Sequence, residues 1–209
     1  MKRSIFAGLL PAAALLASAA ALNADTIGFH VNVDTSSIAS AIGFIEIQFN
    51  QVNAGTSLPA TATVSNFTSA GFTFDNSSNF SLGGVSGSFS SPPLVIHNDV
   101  GATNLFDQGV AAFGSSFGFS VLMSGPAIGG TSVDGSSLFL FLLGTDFSPL
   151  IGSLDNGEVA NIQINGNGSV TAHGSNVATV ATVVPEAPML PVVGLGLAAL
   201  YVIYVRRRA

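Results

Sequence analysis

Hydrophobic and polar positions alternate through most of the middle of this 209-residue chain. From Thr26 to Val33, Ile27, Phe29, Val31 and Val33 fall on one face and Gly28, His30 and Asn32 on the other, the period of a strand buried on one side. Gly43 to Asn50 repeats the pattern, with Ile45, Ile47 and Phe49 opposed to Glu46 and Gln48. Between them, Asp34-Thr35-Ser36-Ser37 can cap a single helical turn at most. After a loop from Asn53 to Pro59, the Thr- and Val-rich run Ala60 to Phe67 reads as a third strand. Shorter strands are predicted at Gly71 to Phe74, Phe80 to Leu82, Val85 to Phe89, Leu94 to His97, Thr103 to Phe106 and Ser116 to Met123. Ser137 to Leu143 is almost wholly apolar, the mark of a strand buried on both faces or central in its sheet. Asp134-Gly135, Asn156-Gly157, Asn165-Gly166 and Asn167-Gly168 are hairpin signals, and the last three frame strands at Glu158 to Ile164 and Ser169 to His173. Val177 to Val184 is either a last strand or the start of a linker. With turn signals spaced this closely and no sustained helical period, the predicted fold is all-β, an antiparallel β-sandwich of jelly-roll type.

The two ends follow other patterns. Lys2 and Arg3 precede an apolar run from Ile5 to Leu16 and small residues from Ala17 to Ala21, the order of a secretory signal peptide cut after Ala24 or Ala21. At the other end, Val184-Pro185-Glu186-Ala187-Pro188 leads into Met189 to Val205, which holds no charged residue, and then Arg206, Arg207 and Arg208. As a helix these seventeen residues would reach roughly 25 Å, the lower limit for a bilayer core, with the arginines as a cytoplasmic stop. The chain therefore divides into a signal peptide (1–24), an exported domain (25–182) and a tail (183–209).

That tail resembles the PEP-CTERM sorting signal of Gram-negative surface proteins, although Ala187 separates Glu186 from the proline that directly follows it in the usual motif. The resemblance implies recognition by an exosortase, a membrane-embedded processing enzyme that cuts near the motif. It also implies anchoring in the inner membrane by the C-terminal helix, then passage to the cell surface or the extracellular polysaccharide. The opening strands of the domain, with Ala60 to Phe67, look like a recurrent body type among such proteins that has no assigned biochemical function. No catalytic residues come with it.

Charge sharpens this picture. All five cations lie at the two extremities, so Asp25 to Val184 contains no lysine or arginine while keeping ten acids. Such a body cannot neutralise phosphates, which excludes nucleic acid as a partner, and it has no cationic grip on anionic lipid. Its acids have no Lys or Arg to pair with, so they are expected to face solvent, to bond backbone or to bind cations. There is no cysteine, hence no disulfide, thiolate metal site or cysteine nucleophile. Sixteen phenylalanines and no tryptophan predict a Phe-rich core.

Candidate chemistry is sparse. Ser116 occupies the serine place of a G-x-S-x-G match at Gly114 to Gly118, but the residues after it alternate like a strand, where that motif needs a strand-turn-helix elbow. His30, His97 and His173 are far apart and lack metal-ligand spacing. Glu46 and Glu158, the only glutamates of the exported domain, are expected at ordinary solvated positions. Calcium is the one cofactor that composition suggests, through loops near Asp99, Asp107, Asp134, Asp146 and Asp155. Asn66, Asn76, Asn79 and Asn167 head N-x-S/T sequons and read first as turn and strand residues. The sequence thus predicts an exported, acidic, non-catalytic surface or matrix protein. Its rival is a carbohydrate-binding or glycoside-hydrolysing jelly-roll module, which should show exposed aromatics or two converging carboxylates on a concave sheet face.

Overall fold

The computed structural model describes residues 26–183 except 102 and 153. The predicted signal peptide and the tail from 184 onward lie outside the described residues. Two antiparallel sheets, with strands numbered in chain order, face each other across one core. The six-stranded sheet contains β1 (Thr26–Asp34), β3 (Thr61–Ala70), β6 (Gly84–Ser86), β7 (Leu94–His97), β9 (Ser116–Ser124) and β14 (Ala178–Val183), in the order β14-β1-β9-β3-β7-β6. In the eight-stranded sheet are β2 (Gly43–Gln51), β4 (Thr73–Phe74), β5 (Phe80–Leu82), β8 (Leu105–Ala112), β10 (Ser136–Gly144), β11 (Pro149–Ile151), β12 (Ala160–Ile164) and β13 (Val170–Gly174). Its order is β13-β12-β10-β2-β8-β4, with β11 added to β10 and β5 to β8. Helix is confined to three-residue 3-10 turns among the described residues, and no helix there is long and apolar enough to cross a membrane.

The alternating residues meet between the sheets. Phe29, Val31 and Val33 of β1 and Phe117, Phe119, Val121 and Met123 of β9 point inward against Ile45, Ile47 and Phe49 of β2 and Leu138, Leu140 and Leu142 of β10. Burying each such side chain stabilises the fold by about 1.5–3 kcal/mol before chain entropy is counted. One part of the core is aromatic: the Phe67 ring lies 4.9 Å from Phe89, 5.2 Å from Phe74 and 5.7 Å from Phe117. The apolar run Ser137 to Leu143 does lie at the centre of its sheet, between β2 and β12. Phe139 and Phe141 on its outer face nevertheless stay half-buried.

Three elements depart from the pattern. β8 runs on to Ala112, because Phe106, Gln108 and Val110 continue the inward face and opposite them β2 supplies Ile47, Ile45 and Gly43. β11 is an unpredicted strand paired with the end of β10. The strand expected from Val85 to Phe89 stops at Ser86, since Gly87 has φ +76° and a Cβ there would lie 1.9 Å from the Pro93 carbonyl oxygen. The helical turn after β1 is the expected one: the Ser36 N–H donates to Asp34 Oδ1 at 2.9 Å, and the 3-10 turn spans Ser36–Ile38.

A buried amide ties the sheets together. Asn98, just past β7, is fully buried and accepts the Ala60 N–H through Oδ1 at 2.7 Å. Its Nδ2 donates to Ser136 Oγ in β10 at 2.7 Å and to the Leu58 carbonyl at 3.4 Å.

Candidate functional site

On the outer face of the eight-stranded sheet, register brings together two acids that are distant in sequence. Glu46 of β2 stands directly opposite Asp107 of β8, with Phe141 of β10 on the other side of Glu46 and Phe80 of β5 beyond Asp107. The neighbouring row reads Leu82, Leu105, Gln48, Phe139, Asn161 and His173 across six strands. Aromatic and aliphatic neighbours in this register cover the acids, so Asp107 is 3% exposed and Glu46 8%. This corrects two expectations: Glu46 is not solvated, and Asp107 is a strand residue, not part of a calcium loop. Glu158 is also buried, at 7%, and its Oε2 accepts from Asn161 Nδ2 at 3.2 Å on the far side of β10, apart from Glu46.

Among the described residues no lysine or arginine is present to settle the pair's charge. Gln48 Nε2 donates to Glu46 Oε1 at 2.6 Å, whereas Asp107 Oδ1 has no hydrogen-bond partner. Burial, and then the hydrogen bond and repulsion from Glu46, push the Asp107 carboxyl up to about 7. Near neutrality and below, Asp107 therefore holds a proton. Glycosidase carboxyls flank a substrate and leave room for it. Here the two stand directly opposite each other across adjacent strands, and Asp107 presents almost no surface to a substrate. What the arrangement can do is bind and release one proton as pH passes through neutrality.

The remaining sequence candidates are dispersed. His30 lies in β1, His97 in β7 with Nδ1 3.0 Å from Thr61 Oγ1, and His173 in the other sheet. No group of three or more His, Asp or Glu side chains that could hold a metal occurs among the described residues. Ser116 opens β9 opposite Asp34 in a continuous strand, without an elbow. The loop aspartates fasten their own turns. Asp34, Asp75 and Asp146 accept from Ser36, Ser77 with Ser78, and Ser148, bonds that hold all three carboxyls below the ordinary aspartate range. Asp134 accepts the Thr56 hydroxyl. Two sequon asparagines are likewise engaged, since the buried Gln108 donates through Nε2 to Asn76 Oδ1 at 3.0 Å and Asn79 Oδ1 at 2.8 Å.

Sequence alone does not bring Glu46 and Asp107 together, because register across a sheet cannot be read from one strand. The available signal is the inward alternation of Phe106, Gln108 and Val110, which places Asp107 on a strand's outer face. Val184 to Pro188, Arg206 to Arg208 and the cleavage positions Ala21 and Ala24 lie outside the described residues. Comparison with protein families, curated proteins and solved structures gives no match.

Proposed function

We propose that the chain is an exported, non-catalytic surface or matrix protein with a jelly-roll-like body. On this reading its tail anchors it in the inner membrane and is then processed by an exosortase-type enzyme for passage to the cell surface or extracellular polysaccharide. One observation carries it: every lysine and arginine lies beside an apolar segment at one end or the other, and none lies between Asp25 and Val184. Strands β1 and β14 support it, because Gly28 pairs with Val183 and the chain enters and leaves the sheets side by side. The jelly-roll reading rests on the way β1, β2 and β3, and later β7 to β10, alternate between the sheets. For the rival, glycoside hydrolysis lacks support in the buried, adjacent acids, while carbohydrate binding has the surface argued below.

The test is fractionation of a Gram-negative host carrying an exosortase, comparing wild type with an Arg206→Ala, Arg207→Ala, Arg208→Ala variant. Wild type is expected in the surface or medium fraction and the variant retained or misplaced. Wild type confined to the cytosol would contradict the proposal.

A further inference from the structure

We infer that a groove on the outer face of the six-stranded sheet binds an uncharged polyhydroxylated ligand, a stretch of neutral polysaccharide. One cross-strand row reads Thr179, Asn32, Gly118 and Thr68 over β14, β1, β9 and β3. Gly118 has no side chain, so the Asn32 amide folds over its backbone, and a cavity of about 550 Å³ lies along this row, bounded also by Asp34, Ser69, Ser116 and Asn176. That volume falls within the range of small-ligand sites.

Chemistry selects the ligand class. The lining offers hydroxyls and the amides of Asn32 and Asn176, which both donate and accept, and one carboxylate that only accepts. That set matches hydroxyl groups, each able to donate and accept. Among the described residues no side-chain hydrogen bond engages Asn32, Ser69, Ser116 or Thr179, so a ligand need not displace an internal partner. Asp34 uses Oδ1 for the Ser36 N–H and keeps a second oxygen. An anionic glycan is disfavoured, because the groove contains a carboxylate and the body has no lysine or arginine to offset it.

The inference names a partner for the exported protein and rests on that reading only for where the ligand is met. Binding is therefore measured on purified full-length chain in detergent, independently of sorting. Affinity electrophoresis is run in gels containing dextran, hydroxyethyl cellulose or polygalacturonate. Wild type should be retarded by at least one neutral polymer and not by polygalacturonate. Gly118→Val crowds the groove: its Cβ would lie 2.6 Å from Asn32 Oδ1, an exposed side chain that must swing aside, and 3.1 Å from the Val31 carbonyl oxygen. While still folded, it should weaken binding about tenfold or more, and Asn32→Ala, which removes no internal hydrogen bond, should weaken it severalfold. The inference is overturned if no neutral polymer retards wild type, if polygalacturonate is preferred, or if Asn32→Ala and a folded Gly118→Val both bind like wild type. Export without binding would remove this inference alone; binding by a protein that stays in the cytosol would remove the export reading alone.

Discussion

Replacing Asp107 with asparagine is expected to flatten the dependence of stability on pH between the ordinary aspartate range and neutrality. In the native protein this carboxyl is pushed from 3.8 up to about 7 by burial and by Glu46. Below 3.8 it is protonated whether the chain is folded or not, and it costs nothing. As pH rises toward 7 the unfolded chain gives up the proton while the native state keeps it, so native stability falls; above 7 the loss is complete. Each pH unit between those two values is worth about 1.4 kcal/mol, and allowing for solvent screening at the thin β5 edge the total is on the order of 3 kcal/mol. The turn aspartates act in the opposite sense. Asp34, Asp75 and Asp146 have lowered values, so their contribution is present above the ordinary aspartate range and disappears as pH falls through their own. Stability should therefore peak at about pH 4–5. In Asp107→Asn the amide has no proton to lose, so urea midpoints should change little from about pH 5 to about pH 8, and the variant should be the more stable at the upper end. An Asp99→Asn control makes the same charge change at an exposed position and should retain the wild-type slope. A slope that survives in Asp107→Asn would show that general repulsion in the acidic body, not this pair, sets the profile.

Asn98→Ala is expected to cost about 3–5 kcal/mol in urea unfolding at about pH 5. Alanine keeps the backbone but leaves the Ala60 N–H and the Ser136 hydroxyl without the partner each now has at 2.7 Å, in a place with no solvent access. Ser136→Ala should cost less, about 1 kcal/mol, because it removes one partner of a side chain that keeps its bond to Ala60. The two substitutions should be non-additive, since they share a hydrogen bond. A loss below about 1 kcal/mol for Asn98→Ala would mean that the amide does not couple the sheets.

Much of the fold is legible in the chain because half-buried antiparallel strands write their burial into the sequence with a period of two. β1, β2 and β9 show it: Phe29 to Val33, Ile45 to Phe49 and Phe117 to Met123 alternate in the chain and all point into the core. Where a strand carries polar residues inward, the signal fades. Gln108 occupies an inward position in β8, its Nε2 donating to Asn76 and Asn79, so the hydrophobic pattern ends that strand at Phe106 and assigns Asp107 to a loop. β11 is three residues opened by proline, too brief for any period. The candidate sites are less legible still. Both the Glu46 and Asp107 pair and the Gly118 groove exist only through register between strands, which depends on how distant hydrophobic faces align. In the sequence Gly118 is only the last residue of a nucleophile-like match, whereas its physical consequence is the missing side chain opposite Asn32.

The sheets and the charge pattern fit together. A body without lysine or arginine gains its stability from apolar burial and backbone bonding, and on the proposed reading the five cations at the chain ends would set membrane topology instead. The most direct measurement is the intact mass of the protein recovered from the cell surface or medium of a Gram-negative host with an exosortase. The expected product is a mature chain that begins just after Ala24 or Ala21 and ends near Pro185. Recovery only of a chain that still begins at Met1 and ends at Ala209 would contradict the export and sorting reading.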